Sequence, residues 1–457
     1  MLYRVIKTAA LLLIFAALAA PASNAQNPAK VVEREDADGD KKVSREEFRG
    51  QPGNFEKIDK NGDGFLTVNE FRVFFASKNK GGGKQGVQGN QSGPSRKKGT
   101  PGRPPDKDVS SRQPPTGAAR FVDTHTHLHA LGLDTTFGGQ AFSGSRDDEA
   151  GNLAKAAKKL IKRMDEQLVK FALIVVVPSA KSGPEKSYEL QRDTVRKHPD
   201  RLRLLAGGAL LGPTLQQTDP GAVTDDIKRR FRATAEKLLD EGAVGFGEML
   251  SYHLCMNPKH SFKYAAPDHP LYLLLADIAA ERDVPIDLHM EAIEKGGPMP
   301  KQLKKRCDKN PDRFVPTIPG LEVLLRHNRK ARVVWEHIGW DNTRQMTPRL
   351  MRRLLPAHPN LYLSLRAPQQ TKTRDGKPFP NRIFDITGRT IKPEWKRLIL
   401  DFPDRIMLGA DEFVGPGEKA KLAASFEKTW SILEHFSGEV REKIGGGNAR
   451  RVFKLDG

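Results

Sequence analysis

From Arg120 to its end, this 457-residue chain alternates short apolar, β-branched-rich runs with segments of helical periodicity. Eight runs read as strands: 121–123, 171–177, 202–206, 243–246, 284–288, 331–335, 361–365 and 405–409. Between them, Leu153 to Leu168, Thr224 to Leu239, Leu271 to Glu281, Pro319 to His327 and Pro348 to Leu355 carry apolar residues at helical spacing. Strand–helix alternation of this length predicts an α/β domain with parallel strands, buried on both faces. Eight such units match a (β/α)8 TIM-like barrel in number and order. An open doubly wound sheet is disfavoured because no glycine-rich phosphate loop follows the first strand.

Five of the eight strands end in residues of metal-ligand type. The segments are Asp123-Thr-His125-Thr-His127, Phe246-Gly-Glu248, Asp287-Leu-His289, Trp335-Glu-His337 and Leu408-Gly-Ala-Asp411. Residues two apart on a strand share a face, so His125 and His127 are expected to project together. Loops at the C-terminal ends of barrel strands converge, so His125, His127, Glu248, His289, His337 and Asp411 are candidate ligands of one metal centre. Imidazoles and carboxylates suit Zn²⁺, in one or two copies, with Mn²⁺ as the alternative. Water bound to such an ion is acidified to a pKa near about 7 and the ion polarises a carbonyl. A neighbouring carboxylate, Asp411, then serves as catalytic proton acceptor. Tyr252, His253 and Arg366 are candidate substrate contacts, Arg366 as a two-pronged carboxylate donor. The long stretch Lys295 to Pro319, with its prolines and charges, reads as a loop shaping the pocket.

The ordered segments Phe121-Val-Asp-Thr-His-Thr-His, His198-Pro-Asp-Arg, Gly245-Phe-Gly-Glu, Pro285-Ile-Asp-Leu-His, Val334-Trp-Glu-His-Ile-Gly, Pro403-Asp-Arg-Ile-Met-Leu-Gly-Ala-Asp and Gly447-Asn-Ala-Arg-Arg-Val-Phe resemble the amidohydrolase superfamily. The resemblance is to its amidohydrolase-related branch of metal-dependent hydrolases and decarboxylases. It implies that His125 and His127 are the strand-one metal pair, and His289 and His337 the strand-five and strand-six histidines. It implies that Asp411 is the strand-eight aspartate, ligand and proton acceptor. Glu248 is similar to the strand-four glutamate of TatD-like enzymes. No lysine stands at that strand end, so a carbamylated-lysine bridge is not supported.

Ahead of the barrel, three further regions are distinguished. Arg4 and Lys7 precede the apolar run Ala9 to Ala20, and Ser23-Asn-Ala25 offers small residues for cleavage, so 1–25 reads as a secretory signal. Export to the periplasm or medium is the expectation, with no membrane span in the mature chain. Residues 26–77 read as a small all-α EF-hand pair. In the second loop Asp59, Asn61 and Asp63 supply side-chain oxygens, Phe65 a carbonyl and Glu70 a bidentate carboxylate, with Gly64 at the turn. In the first, Asp36, Asp38, Asp40, Lys42 (by its carbonyl) and Glu47 take those positions, but Lys41 replaces the turn glycine and weaker Ca²⁺ binding is expected. Residues 78–119, rich in Gly, Gln, Ser, Pro and Lys, read as a disordered basic linker.

The formal charge of +20 invites a nucleic-acid reading, but much of the basic excess falls in that linker. Weak contact with anionic polymers is the most it implies. Cys255 and Cys307 are the sole cysteines, too few for a disulfide framework, and stay open as thiols or one bridge. The expected function is therefore metal-dependent hydrolysis of an ester, lactone or amide bond in a small molecule. Decarboxylation at the same metal, a TatD-like nuclease and a non-catalytic calcium-binding scaffold are the alternatives.

Overall fold

The computed structural model describes residues 28–36, 42–45, 47–48, 50, 53–60, 63–78, 118–130, 148–176, 178, 182–256, 261–372, 376–417 and 425–456. It divides into two compact units, Met1–Arg103 and Pro104–Gly457. The proposed signal and most of the proposed linker lie outside the described residues, as do Asp38, Asp40 and Asn61.

In the second unit the eight expected strands form: β1 (Phe121–Leu128), β2 (Val169–Val175), β3 (Leu202–Gly207), β4 (Ala243–His253), β5 (Pro285–Met290), β6 (Arg332–Ile338), β7 (Leu361–Leu365) and β8 (Ile406–Leu408). Each pairs in parallel with its neighbour, and Leu408 of β8 pairs with Asp123 of β1, which closes the sheet into a barrel. Helices α1 (Glu149–Glu166), α2 (Gly183–Arg196), α3 (Asp225–Asp240), α4 (Pro270–Glu281), α5 (Ile318–His327), α6 (Pro348–Ala357) and α7 (Pro393–Asp401) run between successive strands. The start signals are ordinary ones. Asp148, Thr224 and Thr347 cap α1, α3 and α6 through their side chains, and Pro begins α4, α6 and α7.

Two apolar layers hold the barrel. The larger lies between strands and helices, where Leu153, Leu160 and Met164 of α1, Leu275 of α4 and Trp395 of α7 are fully buried. The smaller joins Val122, Leu173, Leu205, Val334 and Met407 to Val452 and Phe453 of the C-terminal helix α8 (Asn448–Phe453). Strand residues of the inner layer lie below a polar layer in which Thr124 and Ser364 hydroxyls meet at 2.8 Å. The barrel interior is packed, so chemistry is confined to the rim where the strands end.

The differences from expectation concern lengths. Strand β4 runs seven residues past Phe246 to His253, and its pairing with β5 is irregular between Phe246 and Met249 and again between Leu250 and Tyr252. A short strand, Lys263–Tyr264, pairs antiparallel with its far end. Cys255 and Cys307 form a disulfide across 52 residues, joining the end of β4 to the excursion after β5.

The first unit is helical but not purely so. Helices Pro28–Glu35, Phe55–Ile58 and Val68–Lys78 surround a two-stranded antiparallel ladder in which Val43 pairs with Leu66. Val31, Val32, Val43, Phe55, Ile58, Leu66 and Phe71 are its core. Gly64 has φ 82°, the left-handed turn expected of it. Asp59 Oδ2 accepts from Gly64 N–H at 3.0 Å, and Glu70 accepts from the N–H groups of Lys60 and Thr67, each at 3.0 Å. Among the described residues no helix is long and apolar enough to cross a membrane.

Candidate metal centre

The six proposed ligands, from five different strand ends, come together at the barrel rim. Four overlapping sets of three side chains have ligand atoms within 4.8 Å of one another: His125–His127–Glu248, His125–His337–Asp411, Glu248–His289–His337 and His125–Asp287–Glu336. Glu248 Oε1 lies 2.5 Å from His289 Nδ1, 3.1 Å from His337 Nε2 and 3.7 Å from His125 Nε2. Asp411 Oδ1 lies 3.2 Å from His127 Nε2. Two of these residues sit in left-handed backbone conformations, His337 at φ 62° and Asp411 at φ 49°. Non-glycine residues adopt this region at a cost and are held there by their surroundings, typically at functional sites.

The tautomers of the strand-one pair follow from their outer contacts. His125 Nδ1–H donates to Asp287 Oδ2 at 2.9 Å, and His127 Nδ1–H donates to the Val175 carbonyl at 3.3 Å. Both Nε2 atoms then carry lone pairs, and these face each other across 3.2 Å. Two facing lone pairs repel unless a cation lies between them. Together with the buried, unpartnered His337 Nδ1 and two carboxylates, this donor set fits a borderline divalent transition metal.

Charges in the buried cluster are sorted by position. Burial alone would raise Asp411, but the guanidinium of Arg366 and the nearby imidazoles outweigh it and hold the carboxyl well below its usual range. Burial likewise opposes ionisation of Glu248, and the rings of His289, His337 and His125 reverse that, so it too stays ionised. Asp287 and Glu336 are pushed well above the carboxylate range, first by burial and then by neighbouring negative charge. Asp287 Oδ2 remains the acceptor for His125 Nδ1–H.

The sequence does not mark these two acids as functional, although they stand within two residues of His289 and His337 on the same strands. Asp287 fixes the orientation of the His125 ring, and such outer partners tune metal ligands strongly. Asp123 is a third. Fully buried, it accepts from His125 N–H at 3.1 Å, Thr126 Oγ1 at 3.0 Å and Trp430 Nε1 at 3.2 Å, and from Ala410 N–H. It thereby ties the backbone carrying His125 to the backbone leading into Asp411. Burial pushes it up to about 6, with these four donors working the other way. A period-two sequence pattern distinguishes such residues only by their type, since a buried strand acid and a solvated one look alike.

Of the proposed substrate contacts, His253 and Arg366 line the pocket next to His289 and His337, together with Leu254, Trp340 and Asn342. Tyr252 is fully buried against Phe262 and Tyr264, away from this pocket lining. The second irregularity of β4 re-phases the strand, turning His253 and not Tyr252 toward the rim. Arg366 contacts Asp411 directly through Nη1. His129 has left the strand and stacks on Phe413.

Residues 122–455 match the family described as amidohydrolase. Among solved structures, the chain is similar to 2,6-dihydroxybenzoate decarboxylase from Rhizobium, at 18% identity over 74% of this chain and 99% of that one, with a TM-score of 0.39. A second is 5-carboxyvanillate decarboxylase from Sphingomonas paucimobilis, at 13% identity, 74% and 99% coverage and a TM-score of 0.39. A third is β-aspartyl dipeptidase from Fervidobacterium islandicum AW-1, at 12% identity, 74% and 75% coverage and a TM-score of 0.37. No curated protein matches the sequence.

Proposed function

The chain belongs to the amidohydrolase family, and we propose that its barrel is a metal-dependent hydrolase that cleaves an ester, lactone or amide bond of a small molecule. The observation that carries this reading is the convergence of His125, His127, Glu248, His289, His337 and Asp411 from five strand ends into one buried cluster. Those six residues would hold one or two divalent ions, and all four imidazoles lie close to ionised carboxylates, a mixed nitrogen and oxygen donor set that suits Zn²⁺. A metal bound there supplies Lewis acidity toward a carbonyl and acidifies water.

The chain's own groups do the rest. Asp287 holds His125 in the tautomer that points Nε2 into the site. Asp411, kept ionised, is placed to accept a proton from the attacking water and to return it to the leaving group. His253 and Trp340 wall the pocket that opens on His289 and His337. Arg366, on the opposite side of Asp411 from His127, fixes the orientation of the carboxylate.

Decarboxylation of an acid at the same centre is a second reading, favoured by the two arginines gathered near the pocket, Arg366 and Arg382. Metal quantification of wild type and His125→Ala, combined with a screen of esters, lactones and amides and a measurement of released CO₂, tests both. Loss of transition metal and of product formation in His125→Ala is expected. Retained metal in the variant defeats the site, and CO₂ without hydrolysis product selects decarboxylation.

The first unit is proposed to bind Ca²⁺ as an EF-hand pair, supported by the loop spacing, by the Val43–Leu66 pairing between the loops and by the N–H groups gathered on Glu70. Export is proposed as well. It is supported by the charged and apolar pattern of residues 1–25 and by the Cys255–Cys307 disulfide, which suits an oxidising compartment. The amino-terminal sequence of protein recovered outside the cytoplasm would start at Gln26 on this reading.

A further inference from the structure

The segment after β7 brings two arginines onto one aromatic ring. Arg366 Cζ lies 4.1 Å from the centre of the Trp340 ring, and Arg382 Cζ lies 4.7 Å from the same centre and 4.8 Å from that of Phe379. Arg382 is only 5% exposed. A guanidinium has five N–H donors and keeps its charge in proteins. Yet Arg382 reaches only the Gly339 carbonyl, at a long 3.4 Å, and its Nε has no partner. Among the described residues, no carboxylate forms an ion pair with it.

The acids in the neighbourhood are committed elsewhere. Asp341 accepts from Thr343 and Arg344 N–H groups and from Asn381 Nδ2. Glu291 accepts from Asn342 at 2.7 Å and makes no ion pair with Arg382 among the described residues. Burial and the charge of Arg366 bring Arg382 down to about 10, still protonated at neutral pH. A buried cation without a direct ion pair is unfavourable, and an incoming anion would relieve it. Trp340, Glu291 and Arg366 all line the pocket that opens on His289 and His337.

We propose that Arg382 and Arg366, gathered on Trp340, form an anion-recognition subsite that takes the carboxylate of a small acid substrate beside the metal centre. The planar forks match a carboxylate edge to edge, and the aromatic walls of Trp340 and Phe379 keep the pair dry. The subsite assigns the substrate class, a carboxylic acid whose reacting group lies at the metal centre while its carboxylate lies at the arginines. This assignment rests on the reading of the centre as a metal-dependent enzyme site.

Binding of benzoate, benzamide and inorganic phosphate to the metal-loaded full chain, by calorimetry at constant ionic strength, tests it. Benzoate is expected to bind and neutral benzamide to bind at least about tenfold more weakly, the scale of charge-assisted bonds. Arg382→Met should weaken benzoate to a similar degree while melting no lower than the parent, because it removes an unpaired buried charge. Arg382→Lys keeps the charge but not the fork and should also weaken benzoate, which preserves the test if the methionine variant misfolds. Equal benzoate binding in parent and variants means the carboxylate sits on the metal alone, and overturns the proposal. A lowered melting temperature with unchanged benzoate binding makes Arg382 structural and overturns it too. Tighter binding of phosphate than benzoate overturns the carboxylate assignment. Metal content is measured on the same samples. Failure of the enzyme reading appears there as absent metal, separately from any loss of benzoate binding.

Discussion

His125 owes its role to a residue that touches no substrate. The Asp287 carboxylate, fully buried, accepts the hydrogen bond from Nδ1–H and leaves the Nε2 lone pair facing the site. Asp287→Asn keeps the shape and removes the charge, so metal affinity is expected to fall about 10- to 100-fold with little loss of fold, read by chelator competition. Unchanged affinity would show that the ring is oriented by packing alone. His129 makes a different kind of statement. Burial, assisted by the nearby His127, pulls it from 6.5 to about 3, so the native protein refuses a proton that the unfolded chain accepts. Stability is therefore fully present above about pH 6.5 and lost as pH falls across the window down to about 3. In His129→Phe, unfolding free energy measured by urea titration between pH 6 and 4 should lose up to about 1.4 kcal/mol per pH unit of that slope. A variant with the parent's slope would place the acid sensitivity elsewhere.

Elements position these residues through close approach as much as through pairing. Gly409, just after β8, lies where any added Cβ would collide with the hydroxyl of Ser364 and stand 2.8 Å from Thr124 Oγ1 and 3.0 Å from His125 Cβ. Gly409→Ala should cost about 1–3 kcal/mol by overpacking and displace His125. Thermal melting and metal content are both expected to drop. Full metal occupancy at a lowered melting temperature would separate packing from the site. The sequence revealed the strand ends because apolar β-branched runs stop abruptly at His125, His289, His337 and Asp411, and barrel topology sends all such ends to one rim. It did not reveal the extension of β4 or the turning of Tyr252 into the core. Those depend on irregular pairing with β5, which leaves no period in the chain. Nor did it pair Cys255 with Cys307, since 52 residues of separation say nothing about distance. Arg382 was equally hidden, in a stretch after β7 with neither helical nor strand periodicity, where an arginine reads as solvated.

At the level of the whole molecule, the two units differ in how they can be stable. The barrel unit has a continuous core, whereas the described core of the first unit comprises seven buried apolar side chains around one short ladder. Cores that small are marginal without a staple, and a bound ion that the unfolded chain lacks adds stability by mass action. The chemistry of the donors keeps the two ion types apart. The proposed EF-hand loops would offer oxygen ligands that suit Ca²⁺, and the rim presents four imidazoles that suit a transition metal. Added Ca²⁺ should therefore raise the melting of the first unit and leave that of the barrel unchanged. Glu70 closes the second loop by accepting N–H bonds from Lys60 and Thr67. Glu70→Gln is expected to weaken Ca²⁺ binding by roughly tenfold or more, since the bidentate charge is lost. Its transition-metal content and turnover should stay at the parent's level. Calorimetry, followed by metal analysis and assay of the same preparation, provides all three readings. A fall in turnover with intact metal would show that calcium acts on the barrel itself, and independence of the two units would have to be given up.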